Sequence, residues 1–384
     1  MGRDKIATYR DVLRICICVA FVLLSAIVCV ASAETIYVPD DYAKIQWAVD
    51  NATAGDTIIV RDGVYVENID INKPLTIKSE NGSANCIVRA ADSEDHVFDV
   101  TADNVTIKEF TVTGATYKKA GIYLSSDNCR IGNVIALNNY YGIYLYNSNK
   151  NTIANNTASN NRCGIHLWYS SKNTLVNNTA LNNRRGICLF YSSYNTLVNN
   201  SAISNNENGI CFLDSNDNTI ANNTASNNVC GIYLSLSNKN TIVNNTASNN
   251  RYGIWLYNSS ENVLTNNIAL NNRFGIWLWD SSKNIIYLNN FINNTDQVYS
   301  LFYSSKNIWN STEKITYTYK GRTYTNYLGN YWSYYKGSDS NGDGIGDTPY
   351  RGDYYPLMER FENYIIATMT KPMPGFEVAL AILG

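Results

Sequence analysis

Near the C-terminus, oxygen-bearing residues recur at the spacing of a cation-binding loop. Counting Asp339 as loop position 1, side-chain oxygens follow at positions 3, 5 and 9, from Asn341, Asp343 and Asp347. The main-chain carbonyl of Ile345 lies at position 7. Gly344 allows the sharp turn that such EF-hand-like loops need. Position 12 is Tyr350 rather than a bidentate glutamate, so Asp353 or water would have to complete the shell. We expect a structural calcium ion that holds the C-terminal segment against the last repeat; the alternative is an acidic surface turn without an ion.

Aromatic and arginine side chains form a second candidate site, on or beside a repeated G-I-x-[L/F] motif. Strand residues alternate between two faces, so an inward Ile and Leu leave the residue after each of them facing outward. The candidates for a sugar-binding surface are Trp168, Arg251, Trp255, Tyr257, Arg273, Trp277 and Trp279. Flat rings suit sugar faces, and arginine donates hydrogen bonds to hydroxyls or carboxylates. Alternatively, the rings stabilise a sheet by stacking, or lie beneath the C-terminal segment.

Acidic residues that could act in catalysis are sparse within the repeats. They are Glu207, Asp214, Asp217, Glu261 and Asp280. Asp214 and Asp280 share a motif position but are three repeats apart, roughly 14 Å at ~4.8 Å per repeat, which is too far for a glycosidase pair. We therefore expect binding rather than catalysis, with a polysaccharide lyase or hydrolase as the alternative.

Cysteines offer a third kind of chemistry. Cys188 and Cys211 occupy the same position of adjacent repeats, and a Cα separation of ~4.8 Å is compatible with a disulfide. The pair could instead hold a soft metal, or simply fill a column of aromatic residues. No cysteine spacing in the chain is typical of zinc sites.

These candidates depend on a repeat that positions them. The glycine of G-I-x-[L/F] recurs eight times, from Gly121 to Gly275, at steps of 21 to 23 residues. A second marker, an asparagine followed two or three residues later by Ile or Leu, recurs in phase from Asn128 to Asn284. Apolar residues alternate over short runs, as strands require, and no run has a helical stripe. The sequence predicts an all-β fold, a parallel β-helix with ~22-residue rungs and ladders of stacked asparagines.

The net charge and the N-terminal run indicate which partners and which location to expect. The formal charge of the 384 residues is -2, so the chain lacks the excess of basic residues that would predict nucleic-acid binding. Residues 1–33 combine a basic start, an apolar run and an A-S-A ending, which is typical of a secretory signal peptide. An uncleaved membrane anchor is the alternative. We expect an extracellular or cell-surface protein.

The segment after the signal predicts a short capping helix followed by a strand. The run KIQWAVDNATAGDTIIVRDGVYVENIDINKPLTIKS, together with rungs of the form NNTASNN..GIYL..S..NTI, resembles NosD-like right-handed β-helix proteins with PbH1 or CASH-type repeats. The resemblance covers residues 34–357 and implies a surface protein of archaeal type. It divides the chain into an N-terminal cap with first rungs (34–120), regular rungs (121–300), a C-terminal cap (301–360) and a tail (361–384).

The resemblance also implies two further properties. One is an accessory role in copper-site assembly, but His96 and His166 are the only histidines and the methionines of the exported chain lie in its last part, so copper is not an expected cofactor. The other is surface anchoring, because Pro374–Phe376 resembles the start of an archaeal sorting tail. The apolar run after it is too short to cross a bilayer. We expect the aromatic and arginine residues to bind a polysaccharide or a cell-envelope glycan.

Overall fold

Three strands per rung build the protein, and each pairs with its equivalent one rung along. The computed structural model describes residues 33–301 and 306–366. Residues 1–32 of the predicted signal peptide (1–33) and the sorting motif of the tail (374–376) lie outside these residues. Within them the chain forms a right-handed parallel coil of about 12 rungs, roughly 22 residues apart. The predicted fold is confirmed.

Strands of the first two sheets are short and follow each other around the coil. Sheet 1 consists of Thr35–Val38, Thr57–Val60, Thr76–Ser79, Thr106–Lys108, Arg130–Gly132, Thr152–Ala154, Thr174–Val176, Thr196–Val198, Thr219–Ala221, Thr241–Val243, Val263–Thr265 and Ile285–Tyr287. Sheet 2 consists of Gly63–Val66, Cys86–Arg89, Thr111–Thr113, Ile135–Leu137, Thr157–Ser159, Thr179–Leu181, Ser201–Ile203, Thr224–Ser226, Thr246–Ser248, Ile268–Leu270, Asn290–Ile292 and Tyr331–Trp332.

Sheet 3 has the longest strands and contains the G-I-x-[L/F] motifs. Its strands are Ile69–Ile71, Phe98–Val100, Ala120–Leu124, Tyr141–Tyr146, Cys163–Trp168, Arg185–Phe190, Asn208–Leu213, Cys230–Ser235, Tyr252–Tyr257, Phe274–Trp279 and Asp296–Leu301. The isoleucine and leucine of each motif are buried, as with Ile254 and Leu256, and they stack on their copies in the next rung. The motif residues between and after them face outward.

Buried asparagines form a ladder at each of the three corners of the coil. The ladders comprise Asn151, Asn173, Asn195, Asn218, Asn240, Asn262, Asn284 and Asn307; Asn156, Asn178, Asn200, Asn223, Asn245, Asn267, Asn289 and Asn330; and Asn161, Asn183, Asn205, Asn228, Asn250, Asn272 and Asn294. Each side-chain amide donates to the Oδ1 of its copy one rung along, as between Asn200 and Asn223 at 2.9 Å. The predicted marker column was wrong at Asn128, because Cys129 is the residue that pairs with Asn151.

The frequent Asn-Asn pairs follow from this corner geometry. In the pair Asn155-Asn156, the first residue has a φ of 57° and the second belongs to a ladder. Asparagine tolerates the left-handed conformation better than most residues. One asparagine therefore makes the bend, and the next satisfies the main chain of the neighbouring rung.

A short helix covers the first rung. The helix Ile45–Asn51 buries Ile45, Ala48 and Val49, while Trp47 is 49% exposed. The carboxylate of Glu67 accepts hydrogen bonds at 3.0 Å from the main-chain N–H groups of Ile45 and Gln46, which caps the helix. The predicted capping helix is present, although Trp47 does not belong to its buried side. No helix among the described residues is long and apolar enough to span a membrane.

Residues 306–366 close the other end. Trp332 is buried and stacks on Phe291 of the last complete rung, with ring centroids 4.4 Å apart. The antiparallel strands Ile315–Tyr319, Arg322–Asn326 and Ile365–Ile366 form a small separate sheet, and a 3₁₀ helix spans Phe361–Asn363. This C-terminal cap covers apolar surface that an open coil would expose.

Candidate functional site

Outward-facing residues of sheet 3 form continuous columns along the coil. The first column reads Asp99, Tyr123, Tyr144, His166, Cys188, Cys211, Tyr233, Trp255, Trp277 and Tyr299. The second column reads Tyr146, Trp168, Phe190, Leu213, Ser235, Tyr257, Trp279 and Leu301. The register matches the sequence alignment and extends the first column at both ends, to Asp99 and Tyr299.

A third column, missed from the sequence, lies directly before the motif glycines. It includes Tyr141, Cys163, Arg185, Asn208, Cys230, Tyr252 and Phe274. A Cβ on Gly253 would lie 2.6 Å from the carbonyl oxygen of Gly275, so only glycine fits where adjacent rungs approach this closely. Although Tyr252 belongs to the third column, its ring contacts the first column, because its centroid is 4.8 Å from that of Trp255.

We name the C-terminal part of these columns the aromatic face: Tyr233, Tyr252, Trp255, Tyr257, Phe274, Trp277, Trp279 and Tyr299. Its rings contact one another at centroid distances of 4.3 to 6.1 Å, from Trp277–Tyr299 to Tyr257–Trp279. Two arginines border it, with the guanidinium of Arg251 5.2 Å from the Tyr252 ring and that of Arg273 5.2 Å from the Phe274 ring. Six of the seven predicted sugar-binding residues therefore lie together.

The face is partly packed and partly accessible. Trp255, Tyr257, Trp277 and Trp279 are half-buried against their neighbours, whereas Arg251 and Arg273 are exposed. The indole Nε1 atoms of Trp255 and Trp277 are buried and have no hydrogen-bond partner among the described residues. Stacking and surface exposure therefore occur in the same residues.

Trp168 is separate from the other six. In the second column, Phe190, Leu213 and Ser235 lie between Trp168 and Tyr257. Trp168 instead contacts Tyr169 and Tyr191, whose rings stack at 5.0 Å. The sequence grouped Trp168 with the others by residue type, without counting the intervening rungs.

Between the two aromatic regions lies a cluster of cysteines and one histidine. A disulfide joins Cys188 to Cys211, with Cα atoms 4.7 Å apart. The Sγ atoms of Cys163 and Cys188 and a ring nitrogen of His166 lie within 4.8 Å of one another. Burial lowers the pKa of His166 to about 3 and raises that of Cys163 to about 12. The sequence indicated Cys188 and Cys211 but missed Cys163, which belongs to the third column.

At the N-terminal end of the first column lies a carboxyl group with a raised pKa. Burial, reinforced by the nearby charges of Asp70 and Asp95, raises the pKa of Asp99 to about 6. Its neighbour one rung along is Tyr123, on which the His96 ring stacks at 4.3 Å. A carboxylate with such a pKa is suited to act as a general base near neutral pH. The repeat pattern in the sequence did not point to Asp99, because Asp99 precedes the first regular rung.

The acidic loop folds around its own main chain. Asp339 accepts hydrogen bonds from the N–H groups of Gly342 and Gly344, each at 2.8 Å, and Asp343 accepts one from Ile345 at 2.9 Å. Hydroxyl groups of Tyr317, Tyr324 and Tyr364 hold the loop carbonyls. Asn341 donates to Asp343, and Asp347 accepts from Ser338 and Ser340. The loop is thus fixed to the C-terminal cap.

Asp353 does not lie with these loop ligands. It is fully buried and accepts hydrogen bonds from the Asn330 and Tyr355 N–H groups and from the Trp332 indole. Burial raises its pKa to about 6 despite these donors. Asp353 therefore terminates an asparagine ladder, and a cation in the loop would depend on water to complete its shell.

This architecture defines a right-handed parallel β-helix protein. The family model "Right handed beta helix region" matches residues 95–247, and the model "Periplasmic copper-binding protein (NosD)" matches residues 198–337. Each model matches less than half of the chain, so the chain is similar to these two families over the matched segments. A cell surface glycoprotein of Methanothermus fervidus is 40% identical over 113 residues, which are 29% of this chain and 18% of that relative. These similarities indicate an exported or cell-surface location.

Solved structures share the fold at low sequence identity. The A-module of mannuronan C-5 epimerase AlgE4 from Azotobacter vinelandii has a TM-score of 0.56 and 15% identity, covering 71% of this chain and 99% of that one. The Dettilon tailspike protein (gp208) has a TM-score of 0.59 and 17% identity, covering 67% of this chain and 62% of that one. At this identity the likeness shows the fold alone.

Proposed function

We propose that the aromatic face binds an acidic polysaccharide of the cell envelope without turning it over. The observation that carries the proposal is the alignment of tryptophan and tyrosine rings on consecutive rungs, bordered by exposed Arg251 and Arg273. Extended polymers suit such a row, because each rung repeats the same kind of contact at ~4.8 Å along the coil. The face would then lie on an extracellular or cell-surface protein.

Electrostatics favour sugars that carry acid groups. Arg251 and Arg273 lie at the edge of the aromatic face and are exposed. Guanidinium groups recognise carboxylates through paired hydrogen bonds. The aromatic rings supply apolar contact area, and a row of half-buried rings on an exposed sheet is the kind of surface that binds partners.

The test is a titration of the full chain with a panel of acidic and neutral polysaccharides. Exchange of both Trp255 and Trp277 for alanine is expected to raise Kd for the acidic polymer about tenfold or more, since aromatic anchors commonly contribute ~2 kcal/mol. The matched control is Trp47→Ala, because Trp47 is exposed on the capping helix and also has a cation, Lys44 Nζ, 5.3 Å from its ring. Equal affinity of the double variant and the wild type would refute the proposal.

Catalysis at the other end of the first column is the second candidate. The raised pKa of Asp99, beside Tyr123 and His96, is the observation that favours it. The titration samples are therefore assayed for new reducing or unsaturated ends. Products that disappear with Asp99→Asn would establish a lyase or hydrolase; binding without products supports a binding protein. A chain that neither binds nor reacts would be a purely structural wall component.

A further inference from the structure

Cys163, His166 and Cys188 bring soft metal ligands together beneath the outward surface of sheet 3. Cys163 and His166 belong to one strand, and Cys188 pairs with His166 in the next rung. Their ligand atoms lie within 4.8 Å of one another. Cys163 and His166 are each 4% exposed, and Cys188 is not exposed. Two thiols and an imidazole are the donors that thiophilic cations prefer.

His166 has an unused hydrogen-bonding atom at this point. Its Nδ1 is buried and has no hydrogen-bond partner among the described residues. Tyr141 stacks on the ring at 5.2 Å and Phe190 meets it edge-on at 4.9 Å, so the imidazole is held in one orientation. A buried polar atom without a partner destabilises a fold, and an ion bound through Nδ1 would remove that penalty.

We propose that Cys163, His166 and Cys188 bind a thiophilic d10 cation such as Zn²⁺, and that the disulfide between Cys188 and Cys211 closes this site until it is reduced. With the disulfide formed, the Cys188 sulfur is bonded to Cys211 and cannot become a thiolate ligand. Reduction releases Cys188 as a free thiol.

The chemistry balances with an external dithiol as the reductant. By thiol–disulfide exchange the dithiol transfers two electrons and two protons to the cystine and closes to its own disulfide. The cation then displaces the thiol protons of Cys163 and Cys188 into solvent and binds both thiolates and His166. Because binding releases these thiol protons, metal affinity rises with pH.

A cavity of about 140 Å³ connects the cluster to the surface. Tyr140, Arg162 and Arg184 line it together with the three ligands. The arginines disfavour a free cation but favour the thiolate forms of the cysteines. Because two thiolates neutralise Zn²⁺, the loaded site adds no net charge next to these arginines.

The experiment compares reduced and oxidised full-length protein in anaerobic titrations with Zn²⁺ and with Cd²⁺, after removal of the reductant. Reduced protein is expected to bind one equivalent and, with Cd²⁺, to show a thiolate charge-transfer absorption; oxidised protein is expected to bind at least about a hundredfold more weakly. Cys163→Ser and His166→Gln should each weaken binding by about a hundredfold or more. X-ray absorption of the zinc-loaded wild type should show sulfur and nitrogen ligands.

The matched control is Cys230→Ser. Cys230 is the other buried cysteine directly before a motif glycine, and its Sγ contacts the carbonyl of Ile232 at 3.5 Å, as Cys163 contacts that of Ile165. This variant should bind like the wild type. Equal zinc affinity of oxidised and reduced protein, or of Cys163→Ser and the wild type, would overturn the proposal. If a variant fails to fold, the absorption spectrum of the wild type decides, and a shell without sulfur refutes the site.

Discussion

The corner ladders and the first outward column of sheet 3 share one rung spacing but differ in composition. The ladders place asparagine at nearly every rung. The column changes from Asp99 through tyrosine, histidine and cysteine to Trp277 and Tyr299. A ladder position must satisfy main-chain groups of two rungs, which only an amide of this length does. An outward position has no main-chain groups to satisfy, so its residue type varies from rung to rung.

The largest expected effect comes from breaking a ladder in its middle. The side chain of Asn200 is buried, donates to Leu175 O and Asn223 Oδ1 at 2.9 Å, and accepts from the Asn178 amide at 2.9 Å. Asn200→Ala leaves these groups unpaired inside the coil and should lower the free energy of unfolding by about 3–5 kcal/mol. Chemical denaturation measures this.

Asn206→Ala is the control for the ladder, because Asn206 is exposed and lies at the next corner of the same rung, beside Asn205. Its effect should stay within about 0.5 kcal/mol. Similar losses for the two variants would contradict the distinction between ladder and outward positions.

A smaller effect is expected at the charged end of the outward column. The folded-state pKa of Asp99 is raised from 3.8 to about 6. Between about pH 4 and pH 6 the unfolded chain loses this proton while the folded chain keeps it, so stability falls as pH rises through this window. Because solvent screens this part-exposed group, Asp99→Asn should remove only about 1–2 kcal/mol of that fall, and denaturation of both proteins at pH 4 and pH 7 measures it. Glu94→Gln, at an exposed acid nearby, should leave the fall unchanged; an unchanged fall in Asp99→Asn would contradict this prediction.

The smallest effect concerns the acidic loop, which belongs to neither region. We propose that calcium binds Asp339, Asn341, Asp343, Asp347 and the Ile345 carbonyl. The melting temperature should then rise by a few degrees when calcium replaces EDTA, because an ion that binds only the folded chain stabilises it. Magnesium should have a weaker effect, since it sheds its water reluctantly. The same melting temperature in calcium and EDTA would rule the site out.

The sequence predicted what depends on period and failed where the period changes. Eight motif copies determined the coil, the register of Trp255 on Trp277 and the position of Cys188 beside Cys211. Asp99 was missed because the strands Ile69–Ile71 and Phe98–Val100 pair across an irregular spacing. Cys163 was missed because, if side chains alternated strictly from the inward-facing isoleucine, the residue directly before the motif glycine would also face inward.

Residue type also misled where distance decides. Trp168 and Trp255 share a motif, yet several rungs separate them, and only the register shows this. Asp353 seemed a ligand for the loop by proximity in sequence, but it lies at the end of a ladder. Contacts between segments with no common period depend on packing, which a repeat pattern does not encode.

The Asp353 carboxylate, which ends the ladder from Asn156 to Asn330, bears on end-to-end association of the coil. Each amide of the ladder donates one hydrogen bond to the Oδ1 of the next asparagine toward the C-terminus, and Asn330 donates the last of these to Asp353. An open coil would present unpaired strand edges and free amides, onto which a second molecule could add end to end as in a fibril. An anionic acceptor held by the C-terminal cap occupies that position instead. Loss of Asp353 would thus leave the last amide of this ladder without its carboxylate acceptor at the end of the coil where a second molecule could add.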